Sequence, residues 1–305
     1  MIKISCFIFV ARSDESFIRA TLPPLLKMAT NAGCIATIVV DASKPNGVIG
    51  QSLKQSELSK ILSILNEIKE KNFFEIEVFT PIQNKVLEIS KIHFGKSYRE
   101  THCFRGYPVH GSIRQFHNHD SDYILHLDSD MLFYEDKGFS WIAAGIDIME
   151  KNEDILCVLP RGGPPALNGS LNQGSTEYHV DLKRGVFLFK NFTSRHYLVH
   201  RKKFLTLLPM EPLWLSWREP IKSKFLGNGK MLCWESIVEK ALHKSQFWRA
   251  DLMTDKAWSI HPGVRCERFK NLIPKIVNRI NLGEYPRQQA GYFDLLLNSW
   301  ENFID

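Results

Sequence analysis

Two aspartates one residue apart, Asp128 and Asp130, flank Ser129 directly after the apolar run Tyr123–Leu127. Carboxylate oxygens are the preferred ligands of hard divalent cations such as Mg²⁺ or Mn²⁺, which leave coordination positions open for phosphate oxygens. An Asp-Ser-Asp triplet by itself is only an acidic turn. Its setting sets it apart: Tyr-Ile-Leu-His-Leu precedes it and Met-Leu-Phe follows. Uncompensated carboxylates in apolar surroundings are costly, and a bound cation is a natural compensation. Asp41 closes the β-branched run Ile35–Val40 in the same way.

These acids need a scaffold that brings strand ends together. Ile4–Val10 reads as a buried strand, and the polar loop Arg12-Ser13-Asp14-Glu15 follows, with Ser13 or Asp14 able to cap the next element. Apolar residues at helical spacing predict a helix over Phe17–Thr30, and a second, strongly amphipathic one over Leu53–Lys71. Turn signals at Pro45, Asn46 and Gly47 lie between them, after the second strand. Phe74–Phe79 and Tyr123–Leu127 read as further strands, with helices over Ile82–Phe94 and Ser112–His119. Alternating strands and helices predict an α/β fold: a Rossmann-like, mostly parallel sheet with helices on both faces. In such sheets ligands sit beyond the carboxyl ends of the strands. Asp41, Asp128 and Asp130 all fall on that edge.

The second half is less regular. Ile155–Leu159, Gly185–Phe189 and His196–His200 read as strands, and Trp234–His243 as a helix. Pro209–Gly229 carries three prolines, two glycines, Trp214 and Trp217, and reads as an irregular loop on the acceptor side. The tail from Arg265 to Arg279 mixes basic residues with Phe269, Leu272, Ile273, Ile276 and Val277; a peripheral contact with an anionic membrane and a solvated basic helix both account for it.

The run Tyr123–Phe133 resembles the strand and DxD signature of GT-A fold glycosyltransferases. The opening strand, the Thr-Leu-Pro-Pro-Leu-Leu helix and Ile-Val-Val-Asp-Ala-Ser resemble the start of the inverting family-2 members. The likeness covers residues 1 to about 135 and returns in fragments at Trp234-Glu235 and Trp258–His261. It implies metal-dependent transfer of a sugar from a nucleotide-diphosphate sugar, a UDP-sugar by preference, to a hydroxyl acceptor on a glycan, a lipid-linked molecule or a small molecule. By this resemblance Asp130 is the direct metal ligand, and Asp128 the ribose or water-mediated partner. Asp41 contacts the base or ribose, although Asp-Ala-Ser stands where many members have Asp-Asp-Gly-Ser. Ala11 and Arg12 lie near the base, with Ser129 between the two acids of the signature. Arg114 either faces the diphosphate or is a solvated helix arginine.

Inverting transfer needs a general base to deprotonate the acceptor hydroxyl. Glu235 resembles the residue that supplies it, and is equally explained as an acid in a helix's first turn. Trp234 beside it suits a sugar face or the core. His261, in Trp-Ser-Ile-His-Pro, resembles a third metal ligand of some GT-A enzymes and otherwise reads as structural. Arg265 and Arg268 could hold the diphosphate or belong to a basic surface. The implied division is a donor half over 1–135, an acceptor and catalytic half over 136–265, and a basic tail over 266–305.

Composition bounds the rest. The chain has 305 residues, 44% hydrophobic and 24% charged, which allows one large α/β domain. Met1–Ala11 meets Arg12 and Asp14 too soon to read as a secretion signal, and no apolar run is long enough to span a bilayer. The cysteines lack CxxC pairing, and Cys6, Cys34 and Cys157 lie in apolar runs, which points to a reducing, cytoplasmic setting. The net charge of +6 suits anionic partners, but no basic run interleaved with aromatics suggests nucleic acid. Three rival readings share the motif: a sugar nucleotidyltransferase, a retaining glycosyltransferase and a non-catalytic nucleotide-sugar-binding protein. The first wants a glycine-rich phosphate loop after the first strand, where this chain has Ala-Arg-Ser-Asp-Glu.

Overall fold

Strand β1 (Ile4–Val10) is the hub of the main sheet, pairing in parallel with β2 (Ala36–Asp41) on one side and β4 (Tyr123–Asp128) on the other. β3 (Phe74–Phe79) lies parallel beyond β2. The computed structural model describes residues 2–43, 56–117, 120–172, 176–263 and 265–304. Past β4 the sheet continues through β10 (His196–His200), β6 (Ile155–Leu159), β11 (Trp248–Leu252), β9 (Val186–Phe189) and β8 (His179–Asp181). β1, β2, β3, β4, β6, β8 and β11 run in one direction and only β9 and β10 oppose them. The α/β class with a mostly parallel, Rossmann-like sheet is therefore as the alternating pattern predicts.

Successive strand residues point to opposite faces, and here both faces are core. Cys6, Ile8 and Val10 pack with α1 (Ile18–Asn31), α2 (Leu58–Lys69), α5 (Trp141–Lys151), α9 (Glu267–Asn281) and α10 (Leu297–Ile304). Phe7 joins the opposite cluster with α3 (Gln83–Phe94), α4 (His110–Arg114), α6 (Arg201–Leu205) and α8 (Trp234–His243). Helices on both faces bury the central strands and leave their ends open to ligand.

A small second sheet locks the carboxyl end. β5 (Leu132–Glu135) starts just after the Asp128–Asp130 turn and pairs antiparallel with β12 (Ala257–Ile260), which in turn pairs with β7 (Arg161–Gly162). Gly163 follows β7 with a positive φ of 86°, and a Cβ there would sit 2.3 Å from the Tyr292 carbonyl oxygen. Only glycine fits that approach, which lets the chain around Phe293 pair with His261.

Two expectations need correction and two fall partly outside the described residues. Pro209–Gly229 is not wholly irregular, since it contains α7 (Glu219–Leu226). The breakers are its punctuation: Pro220 stands in the first turn, where it lacks only an unneeded N–H, and Gly227 closes the helix at φ 67°. The helix predicted over Ser112–His119 is the short α4, starting at His110; His119 lies outside the described residues, as do 53–55 and the turn signals at 45–47.

Candidate functional site

The register of the sheet gathers the predicted acids. Asp128 ends β4 opposite Phe9 of β1, and Asp41 ends β2 one residue beyond the Val10–Val40 pair. Between them opens a cavity of about 190 Å³, whose walls include Ala11, Arg12, Asp41, Asp128, Asp130, Arg195 and Arg265.

Asp14 is the clasp of this site. Its buried carboxylate accepts the Ala11 N–H at 2.9 Å, the Ser129 hydroxyl at 2.7 Å and the Ser13 hydroxyl at 3.0 Å, and pairs with Arg265 at 2.8 Å. It thus ties the β1 loop to the Asp-Ser-Asp turn instead of capping α1, whose N-terminus has no side-chain cap. Burial pushes the Asp14 carboxyl up from its usual range, against the pull of the Arg265 guanidinium. Ser129 is buried, its hydroxyl on Asp14 and its N–H on the Phe9 carbonyl; it shapes the turn and does not line the cavity.

Each acid of the triplet has its own cation. Arg265 bonds one oxygen of Asp130. The other, Oδ1, is buried with no hydrogen-bond partner among the described residues. Asp128 meets His126 Nε2 at 3.3 Å and Arg195 at 3.4 Å, and His126 is itself stacked flat on Tyr197, 4.9 Å between centroids. Burial would raise Asp128, but the His126 bond and the charges of His126, Arg195 and Arg265 outweigh it and hold the carboxyl below the usual range. Burial likewise opposes the charge of Arg195, and Asp128 and Asp130 more than restore it.

At the other end of the cavity Asp41 accepts the Ser43 N–H at 2.8 Å and faces His102 Nε2 at 3.5 Å. His102 is held in turn by the Thr101 hydroxyl at 2.8 Å. Burial acts to raise Asp41, but the His102 and Ser43 bonds prevail and lower it. Arg12 reaches the cavity with its Nε committed to the Ser56 carbonyl at 2.7 Å.

Glu235 opens on a second cleft, with Phe104, Leu215 and Leu232 among its walls. The two hollows share Tyr107, Pro108, Ser194 and Arg195. Glu235 Oε1 accepts the Ser194 N–H at 2.6 Å and its hydroxyl at 3.0 Å, and no described residue bonds Oε2. Trp234 is buried among Phe116, Phe192, Tyr197 and Phe204, so it belongs to the core.

Arg114 is not brought to the cavity: it pairs with Glu77 at 2.7 Å and lies over the Phe79 ring. His261 follows β12 beside the β5 start, but its Nδ1 meets Asp294 at 3.1 Å, its ring stacks on Phe293, and it does not line the cavity. Among the described residues no three His, Cys, Asp or Glu side chains converge as a metal cage. A divalent cation nevertheless fits the acids in one respect, because Asp130 Oδ1 is a buried carboxylate oxygen that a cation would partner. The sequence reading missed Asp14, His102, Ser194 and Arg195 as parts of a site. Asp14 carried a signal, as an acid in the loop that follows a buried strand, that its expected capping role obscured.

No protein-family model matches the chain, and no curated protein matches it. Among solved structures it is similar to GalNAc-T7 with UDP, GalNAc and Mn²⁺, at 11% identity and a TM-score of 0.44 over 88% of this chain. It is also similar to S. aureus TarS 1–349 (12%, TM-score 0.42, 84% of this chain) and to apo UDP-glucose pyrophosphorylase (11%, 0.38, 86% of this chain and 93% of that one). The chain spans 45% of the GalNAc-T7 chain and 60% of the TarS chain. At such identities and scores the likeness carries no functional argument.

Proposed function

We propose that the chain is a glycosyltransferase that binds a nucleotide-diphosphate sugar, a UDP-sugar by preference, in the cavity at Asp128–Asp130 and transfers the sugar to a hydroxyl acceptor entering beside Glu235. One observation carries this reading: a strand-end cavity with paired acids and arginines meets a cleft with a carboxylate across the shared wall of Ser194 and Arg195. The base and ribose lie toward Asp41, His102, Ala11 and Arg12, and the diphosphate toward Arg195 and Arg265.

Transfer is a direct displacement. Ser194 fixes Glu235 Oε1, and Oε2 takes the proton of the acceptor hydroxyl, since that oxygen is a poor nucleophile while protonated. The acceptor oxygen forms its bond to the anomeric carbon as the bond to the diphosphate oxygen breaks, inverting the configuration. Arg195 and Arg265 face the charge that develops on the leaving diphosphate, in a site where fixed cations need little reorganisation. A divalent cation, Mn²⁺ or Mg²⁺, would be held by Asp130 through Oδ1 and by Asp128, and supplies further neutralisation of the diphosphate when bound. His261 would join that set only by leaving Asp294.

The test is a screen of UDP-sugars and hydroxyl acceptors with Mn²⁺ added or chelated, read by nuclear magnetic resonance of the anomeric product, for wild type and Asp130→Ala. The expected result is an inverted glycoside from wild type and a loss of roughly 10²-fold or more in the variant. Undiminished transfer by Asp130→Ala would remove the donor assignment, and retained configuration would remove Glu235 as the base.

A further inference from the structure

Helix α7 is built inside out. Its buried residues are Glu219 and Ser223, both polar. Glu219 accepts the Lys230 N–H at 2.9 Å and pairs with Lys222 at 2.9 Å, while Ser223 bonds Glu100, which also accepts the Gly229 N–H at 2.7 Å. The helix is therefore moored through hydrogen bonds on its inner side. Its apolar residues face out: Ile221 is 54% exposed, Phe225 69% and Leu226 70%, with Trp217 at 74% and Leu215 at 50% just before them. A helix of a soluble protein places its apolar stripe against the core, and clustered large apolar side chains in solvent mark a contact surface.

The cations around the patch say what it contacts. Arg218 lies over the Trp217 ring and Lys224 over the Phe225 ring. Lys222 and Lys230 flank them at the exposed surface, and the one acid of the helix, Glu219, is buried and already paired. Trp and Phe interleaved with Lys and Arg on one exposed face match an anionic bilayer: the rings enter the headgroup boundary and the cations meet phosphate. The basic tail makes the opposite arrangement. In α9 Phe269, Ile273, Ile276 and Ile280 are buried in the core, so its charges are an ordinary solvated face.

We infer that Leu215–Lys230 is a membrane-docking surface for anionic phospholipid, with Trp217 and Phe225 as its apolar anchors. Leu215 also lines the Glu235 cleft, so docking brings that cleft to the lipid surface. If the transferase reading holds, the acceptor class is a hydroxyl carried on a membrane lipid; the docking itself does not depend on that reading.

The experiment is co-sedimentation of the full chain with vesicles of phosphatidylcholine alone or mixed with phosphatidylglycerol. Wild type should partition onto the mixed vesicles, less at high salt and little onto phosphatidylcholine. The double variant Trp217→Ser/Phe225→Ser should lose about tenfold or more of the partition coefficient. Lys222→Glu/Lys224→Glu should lose the preference for anionic lipid. Both pairs are exposed, and circular dichroism with a thermal melt checks that the fold is retained. No binding by wild type, wild-type binding by the serine variant, or binding abolished instead by Lys270→Glu/Lys275→Glu would each overturn the inference. So would self-association by light scattering that the serine variant abolishes without any vesicle binding, which would make the patch a face between copies. Vesicle binding is read without turnover, so it can fail or stand independently of the transferase assignment.

Discussion

The proposed donor cavity and the Glu235 cleft share a wall but are held in different ways. In the cavity, Asp41 and Asp128 sit at the ends of β2 and β4, the parallel strands on either side of β1, their positions fixed by ladder register with it. Asp128 and Asp130 each carry a guanidinium partner. Glu235 sits in the first turn of α8, held by Ser194 from the loop before β10, and among the described residues no cation is bonded to it. Asp128, held below the usual carboxylate range by His126 and its arginine neighbours, is an anion suited to organising a ligand. Glu235 keeps one oxygen that no described residue bonds, which leaves it open to an acceptor hydroxyl. The largest expected effect follows from that contrast. Glu235→Gln keeps the size and the Ser194 contacts, so the donor should bind with unchanged affinity by calorimetry while kcat falls by roughly 10²–10⁴. A fall in donor affinity with kcat preserved would show that Glu235 belongs to the donor side.

The difference in how the two regions are built also decides how much of each is legible in sequence. Strand-end acids are legible because a buried strand leaves a period and an abrupt polar stop, as at Leu127-Asp128 and Val40-Asp41. Helix α8 is legible for the same reason, and the sequence places its limits at Trp234 and His243, as observed. What closes the site is not periodic. Arg265 bonds Asp14 across 251 positions and Ser129 bonds Asp14 across 115. Arg195 reaches Asp128 only because β10 inserts antiparallel between β4 and β6, which no local pattern announces. Arg114, on the helix before β4, looked better placed but turns to Glu77 and Phe79. α7 escaped because its breakers read as disorder of pattern, and because its apolar residues face outward and give no core-facing stripe.

Arg195 lies on the shared wall, so its removal tests whether the two regions act as one site. Arg195→Met retains much of the stem and removes the charge opposite Asp128. A fixed cation at a leaving group contributes roughly 10²–10³ in rate, and kcat should fall by about that amount. Nucleoside-diphosphate affinity should fall as well, because in the proposed complex the same guanidinium faces the ground-state diphosphate. If only acceptor KM changed, Arg195 would belong to the cleft alone and the leaving group would rest on Arg265.

The smallest effect is expected at the far end of the cavity, where Asp41 and His102 face each other at 3.5 Å. Asp41→Asn keeps the shape but removes the charge, and loss of one charge-assisted hydrogen bond to a base or ribose should weaken nucleotide binding about tenfold while leaving kcat at saturating donor nearly unchanged. The sign with pH follows from the lowered carboxyl of Asp41. Its contribution is fully present above the ordinary carboxylate range and is lost only as pH falls through its depressed value. Titrating nucleotide affinity from pH 8 to 5 should therefore give no step that depends on Asp41, and wild type and Asp41→Asn should run parallel. A loss of nucleotide affinity in His102→Gln larger than that in Asp41→Asn would place the recognising contact on His102, and Asp41 would become the residue that positions it.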